Sequence, residues 1–126
     1  MKIAVIIARV LVGLIFVVFG SNAFLNFIPA TMPPGVAGQF IGAMFASHYL
    51  LAVGACQVIG GALLLIGRYI PLGVTILGPV VVNILLYHLL MSMVGFPVAL
   101  VTALLWLFLL WRYRANFAGI FVAKAA

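Results

Sequence analysis

Acidic side chains are missing from this sequence, whose 126 residues include no Asp and no Glu. The chain therefore cannot build a carboxylate dyad, a Ser-His-Asp triad, a carboxylate metal site or an acidic proton relay from its own side chains. Its single cysteine, Cys56, excludes an internal disulfide and a CxxC redox pair, and we expect it to be a small core residue. These absences argue against an enzyme that works with its own side chains alone.

Charge of either sign is also scarce. Charged residues make up 5% of the chain, hydrophobic residues make up 69%, and the mean hydropathy is +1.49. A water-soluble domain of this size cannot bury so much apolar surface, so the composition predicts an integral membrane protein. The net charge of +6 does not indicate a nucleic-acid partner, because the basic residues lie at the ends of apolar runs.

Four apolar runs are long enough to be transmembrane helices. About 20 residues of helix, at a rise of about 1.5 Å each, cover the roughly 30 Å hydrocarbon core of a bilayer. We expect one membrane domain over 1–126, an all-α transmembrane antiparallel four-helix bundle. Its spans should lie at about 3–24, 48–67, 72–93 and 97–114. The apolar segment 36–46 is too short to span and predicts an interfacial helix between the first two spans.

The basic residues are expected on one side of the membrane. With four spans, both termini and the link at 68–71 share a side, and all six basic residues lie there or just inside it. They are Lys2, Arg9, Arg68, Arg112, Arg114 and Lys124. The positive-inside rule therefore predicts cytoplasmic termini, in a bacterial inner membrane. Contact with anionic lipid headgroups is expected at this face.

Arg9, Gly13 and Gly20 share one face of the first span, and a second glycine stripe follows in the next span. Small residues let helices approach closely. We therefore expect these residues to contact lipid or a partner, with one flank, at the first span or segment 36–46, packing against another membrane subunit. Arg9 lies about one and a half turns inside the membrane. Three partners remain open for it: a lipid phosphate, a carbonyl at a helix end, or an acid of another subunit.

Two amides lie deep inside the predicted membrane region. Gln57 is near the middle of the second span and Asn83 is near the middle of the third. Hydrocarbon offers an amide no hydrogen-bond partner. We interpret the two residues either as a hydrogen-bonded pair that fixes the register of the two spans, or as polar lining for a quinone head group.

Two histidines, His48 and His88, lie on the outer side of the predicted bundle. Three roles remain open for them: structural hydrogen bonding, hydrogen bonding to a quinone, or ligation of haem or a metal. If a quinone binds, we expect Tyr87 and His88 to hydrogen-bond it, with Asn22 and His48 as neighbours from other helices.

Three motifs carry a resemblance to a known family. They are Arg9-x3-Gly13-x2-Phe16-x3-Gly20, Gly54-x2-Gln57-x3-Gly61-x-Leu63-Leu64-x2-Gly67, and the segment 83–88. In these motifs, and over nearly its whole length, the chain resembles the DoxX family of small four-helix membrane proteins. That family includes the small subunit of thiosulfate:quinone oxidoreductase and members associated with membrane redox complexes.

The function expected from this resemblance, from the small size and from the missing catalytic side chains is a non-catalytic accessory subunit. It would belong to a larger membrane redox or respiratory complex. Two alternatives stay open. One is a redox subunit that binds quinone, or haem. The other is a carrier of lipid or a small molecule, since four helices can enclose an apolar cavity.

Overall fold

The computed structural model describes residues 1–29 and 31–125, and all of the regular structure in these residues is helical. The helices are α1 (Lys2–Leu25), α2 (Gly35–Ala46), α3 (Tyr49–Ile66), α4 (Ile70–Leu90), α5 (Phe96–Arg112) and a terminal 3-10 helix (Arg114–Phe121). The predicted connection after the first span includes Ala30 and the predicted domain ends at Ala126. Both of these residues lie outside the described part of the chain.

The four predicted spans correspond to α1, α3, α4 and α5. Within the described residues, α1, α3 and α4 are each long and apolar enough to cross a membrane. Helix α5 has 17 residues and meets the same test only together with the 3-10 helix, to which it is bent by 76°. The short apolar segment predicted at 36–46 is helical as expected, within α2.

A short link after α3 reverses the chain into α4. Its backbone is left-handed at Gly67, with φ of 80°, and at Tyr69, with φ of 56°. Glycine adopts this conformation readily, whereas Tyr69 adopts it against the preference of an L-residue. Pro71 follows in the first turn of α4, where a missing N–H leaves no helical hydrogen bond unmade.

Paired glycines bring α1 and α3 into backbone contact. A Cβ placed on Gly13 would lie 2.9 Å from the Gly61 oxygen, and one on Gly61 would lie 2.8 Å from the Gly13 oxygen. Gly20 and Gly54 face each other in the same way, at 2.8 and 2.9 Å. The prediction that Gly13 and Gly20 contact lipid or a partner subunit is therefore wrong, because α3 of the same chain occupies their face.

The core lies between α1, α3, α4 and α5. Helix α1 contacts α3 and α5, α4 also contacts α3 and α5, and α2 lies against α3. The largest fully buried side chains come from all four helices: Val12, Phe16, Leu64, Val74, Leu77 and Leu109.

Cys56, expected in this core, is exposed instead. Gly60 and Gly61 take the positions of α3 that approach the neighbouring helices, so Cys56 lies outside the packed faces.

A tryptophan joins α5 to α4 by a hydrogen bond. The Nε1–H of Trp106 donates to the Val74 oxygen at 3.0 Å. The Trp106 ring lies over Gly78, where an added Cβ would be 3.2 Å from the nearest ring atom. From the sequence, Trp106 is simply a lipid-facing or core residue. The sequence does not predict this hydrogen bond, because its donor and acceptor are 32 residues apart and no local pattern links them.

Candidate functional site

A cleft opens where the C-terminal end of α1, the link that follows it, α2 and the first half of α3 come together. Its volume is about 570 Å³, a size typical of small-molecule sites. Most of its lining is apolar: Phe19, Ala23, Ile28, Pro29, Met32, Pro33, Ile41, Phe45, Leu50 and Gly54. Four polar residues complete it: Asn22, Asn26, Thr31 and Gln57. The cleft therefore combines a large apolar surface with a few amide and hydroxyl groups.

The end of α1 shapes one wall of this cleft. Asn26 has a left-handed backbone, with φ of 51°, and its N–H donates to the Asn22 oxygen at 2.9 Å. The side-chain Oδ1 of Asn22 accepts a second hydrogen bond, from the N–H of Ile28 at 2.8 Å. These contacts end the helix and hold the link in place. Asn22, predicted as a neighbour of a ligand, thus lines the cleft and also fixes its wall.

Gln57 brings an amide from the middle of α3 to the cleft. The residue is half-buried, and its Cβ lies only 2.8 Å from where a Cβ of Gly20 would be. Gln57 fits between the two helices because Gly20 has no side chain. The side-chain hydrogen bonds found within residues 1–29 and 31–125 do not involve the Gln57 amide. Its N–H groups are therefore open to a ligand or to water.

Asn83, the second predicted amide, does not line the cleft. Its Nδ2 donates to the Pro79 oxygen of the same helix at 2.7 Å, and the residue is exposed on the surface of α4. The predicted hydrogen bond between Gln57 and Asn83 is wrong, because α4 turns Gly73 and Leu77 toward α3 instead. Equal depth along two neighbouring helices did not place the two amides on facing sides.

Tyr87 and His88 form a separate cluster at the end of α4. Their rings make an edge contact at 5.0 Å, and Phe40 of α2 lies 6.0 Å from Tyr87. The Nδ1 of His88 is 2.9 Å from the Ile84 oxygen. A carbonyl can only accept, so this geometry places a proton on Nδ1 and leaves Nε2 turned toward Gly95. His48 is exposed at the start of α3, where its φ is 63°.

The six residues predicted for a ligand therefore do not form one cluster. Asn22 and Gln57 line the cleft, Tyr87 and His88 pair at the end of α4, and Asn83 and His48 are exposed. The cleft also contains Asn26 and Thr31, which sequence reasoning missed. Only the clustering of Asn, Pro and Thr in the link after α1 could have pointed to them.

Arg9 lies against the C-terminal end of α3. A Cβ on Gly67, which caps that helix, would be 3.0 Å from Nη1 and 3.2 Å from Nη2 of Arg9. A helix C-terminus carries partial negative charge and favours a cation there. The Nε of Arg9 is buried and has no hydrogen-bond partner within the described residues. Of the three partners left open for Arg9, the helix end is the one that this chain itself supplies, and Arg9 lies against it.

The remaining predicted contact residues are exposed arginines at helix ends. Arg68 lies in the link between α3 and α4. Arg114 donates from Nη1 to the Trp111 oxygen at 2.8 Å and lies 4.8 Å above the Trp111 ring. Arg112 lies 5.7 Å from the Tyr113 ring. Cations paired with tryptophan and tyrosine at a helix end are typical of the boundary between membrane and water.

One known family matches a long part of the chain, which includes all the residues that line the cleft. The DoxX family model matches residues 4–90, which extend from α1 to the end of α4. The chain matches no curated protein and no solved structure. Since the family match covers well over half of a chain built from long apolar helices, this protein belongs to the DoxX family of membrane proteins.

Proposed function

We propose that this protein is a non-catalytic subunit of a membrane redox assembly, and that it holds a quinone in the cleft between α1, α2 and α3. The observation that carries the proposal is Gln57, a half-buried residue that lines an otherwise largely apolar cleft and whose amide makes no hydrogen bond within the described residues. A quinone carbonyl accepts hydrogen bonds, and the ring and tail need apolar surroundings. The chain has no acidic side chain of its own for proton transfer, so the redox chemistry would belong to a partner subunit.

The proposal places the chain across a bacterial inner membrane as an antiparallel four-helix bundle, with α2 at the outer interface. The order of the glycine pairs supports opposite directions for α1 and α3, since Gly13 meets Gly61 and Gly20 meets Gly54. The distribution of basic residues supports cytoplasmic termini. Gln57 would then lie in the outer leaflet, about 12 Å from the outer end of α3.

A ligand-free accessory subunit is the second candidate. One observation favours it: the buried Nε of Arg9 has no partner within residues 1–29 and 31–125, and the sequence contains no acidic side chain. An acid from another subunit would complete this site. In that case the cleft would hold only lipid chains or a segment of the partner.

The test is quinone binding by protein purified in mild detergent. Decylubiquinone is added, unbound quinone is removed by dialysis, and bound quinone is extracted and quantified by its redox absorbance. Gln57→Leu should weaken binding about fivefold, which corresponds to about 1 kcal/mol for one buried hydrogen bond. The matched control is Gln39→Leu, which removes the same amide from an exposed position of α2 outside the cleft.

His88→Ala is the second control, because His88 does not line the cleft. Quinone binding that is lost in His88→Ala but kept in Gln57→Leu would move the site to the end of α4 and contradict the proposal. If the wild-type protein binds no quinone, the accessory role is supported. Retention of phospholipid in place of quinone would favour a carrier.

A further inference from the structure

An amide is exposed in the middle of a helix that can cross the membrane. Asn83 lies well inside α4, about 10 Å from the Leu90 end at the helical rise. One N–H of its side chain donates to the Pro79 oxygen. Its Oδ1 and second N–H take part in no hydrogen bond among residues 1–29 and 31–125. Hydrocarbon offers these groups no partner, so exposure to lipid at this depth is unfavourable.

Asn83 belongs to an exposed stripe along α4, which we call the α4 stripe. Its residues step by 3 or 4 positions and fall within an arc of about 80° at 100° per residue. They are Leu72, Thr75, Pro79, Asn83, Leu86 and Leu90, all exposed.

Spacing of this kind fits the seam between two packed helices. The stripe carries no charge, so it requires no partner of opposite charge.

We propose that the α4 stripe is the interface with a second copy of this chain. Two copies inserted in the same direction can be related by a twofold axis along the membrane normal. Each residue near that axis then meets its own copy at the same depth. A carboxamide has both a donor and an acceptor, so two Asn83 side chains can satisfy each other. A different partner would need a polar group at the same depth. The inference does not depend on the quinone cleft.

Cross-linking in native membranes tests which helix face forms the interface between the two copies. A cysteine is introduced at Leu86, on the stripe, or at Leu100, on α5, each in a Cys56→Ser background. The two positions are matched: each lies about 6 Å from the outer end of its helix, and they are 48% and 40% exposed. Mild oxidation should link two copies through Leu86→Cys and leave Leu100→Cys largely monomeric. Equal linking at both positions, or linking only at Leu100→Cys, would overturn the proposal.

The contribution of the Asn83 amide to the dimer is tested by measuring the dissociation constant of the dimer. Energy transfer between differently labelled copies in detergent gives this constant. Asn83→Leu should raise this constant about 3- to 30-fold, as expected for an interhelical hydrogen bond in a membrane. Thr75→Val is the matched control, because the Thr75 hydroxyl already donates to the Pro71 oxygen of its own helix at 2.8 Å. An unchanged constant in Asn83→Leu would refute the proposal, and so would capture of a different protein by Leu86→Cys.

Discussion

At the residue scale, the contact between α1 and α3 depends on glycines that leave room for a backbone oxygen of the other helix. Gly13 and Gly20 lie in α1, Gly54 and Gly61 lie in α3, and all four are buried. Without a hydrophobic effect between helices in lipid, such close approach provides much of the association through dispersion contacts. Small changes in side-chain volume at these positions should therefore have large effects.

Gly13→Ala should destabilise the protein by about 1–3 kcal/mol, the cost usually found for overpacking. The added Cβ would lie 2.9 Å from the Gly61 oxygen, and a backbone oxygen cannot move aside as the end of a side chain can. The measurement is the thermal unfolding midpoint in mild detergent. Gly42→Ala is the control, because a Cβ there meets nothing within 4 Å and alanine favours a helix. Equal midpoints for the two variants would disprove this account of the α1–α3 contact.

At the element scale, α5 lies beyond the family match and is shorter than α1, α3 and α4. It packs on α4 and α1 and carries Trp106, which reaches the Val74 oxygen. Because that acceptor belongs to the helix backbone, the bond fixes the position of α5 along α4 without needing a particular side chain at Val74.

Trp106→Phe should lower stability by about 1 kcal/mol, because it removes the donor and keeps an aromatic ring. The control is Trp111→Phe, since Trp111 is 49% exposed and donates no side-chain hydrogen bond within the described residues. The unfolding midpoint in detergent should fall more for Trp106→Phe than for Trp111→Phe. A larger fall for Trp111→Phe would mean that the Val74 hydrogen bond contributes little.

Helix positions could be predicted because hydropathy, Pro29, Pro71 and the glycines at helix ends are local signals. The direction in which a side chain points around its helix is not local. This direction depends on which neighbouring helices pack against each face. The depth of Asn83 in the membrane could therefore be predicted from the sequence, whereas its exposure could not. The cleft was missed for the same reason, since its polar groups come from α1, the following link and α3. Gln57 was singled out because an amide is rare in an apolar run, whereas Asn22 was named as a neighbour of Tyr87 and His88 and lines the cleft instead.

At the scale of the whole molecule, charge is distributed unevenly along the chain. The segments 25–29 and 31–47, and the link at 92–96, carry no Lys or Arg, whereas Lys2, Arg68, Arg112 and Arg114 lie at the other helix ends. In a membrane this asymmetry predicts a single orientation, with the cleft facing outward. The proposed position of Gln57 in the outer leaflet depends on that orientation.

Orientation is tested with single cysteines at Thr31 and Ala123, each in a Cys56→Ser background. Both residues are exposed, so a maleimide that cannot cross the membrane should reach whichever side is outside. With intact cells only the Thr31 position should react, and after lysis both should react. Labelling of the Ala123 position in intact cells would reverse the proposed topology.

The paired glycines also limit how the protein can recover from mutation. At Gly13, Gly20, Gly54 and Gly61 the space for a side chain is taken partly by a carbonyl oxygen of the facing glycine. A carbonyl is present whatever residue occupies the facing position. No shortening of that residue can make room, so genetic suppressors of Gly13→Ala should not arise at Gly61. Trimming Leu65, which also crowds the Gly13 position, should restore stability only in part, because the Gly61 oxygen stays where it is.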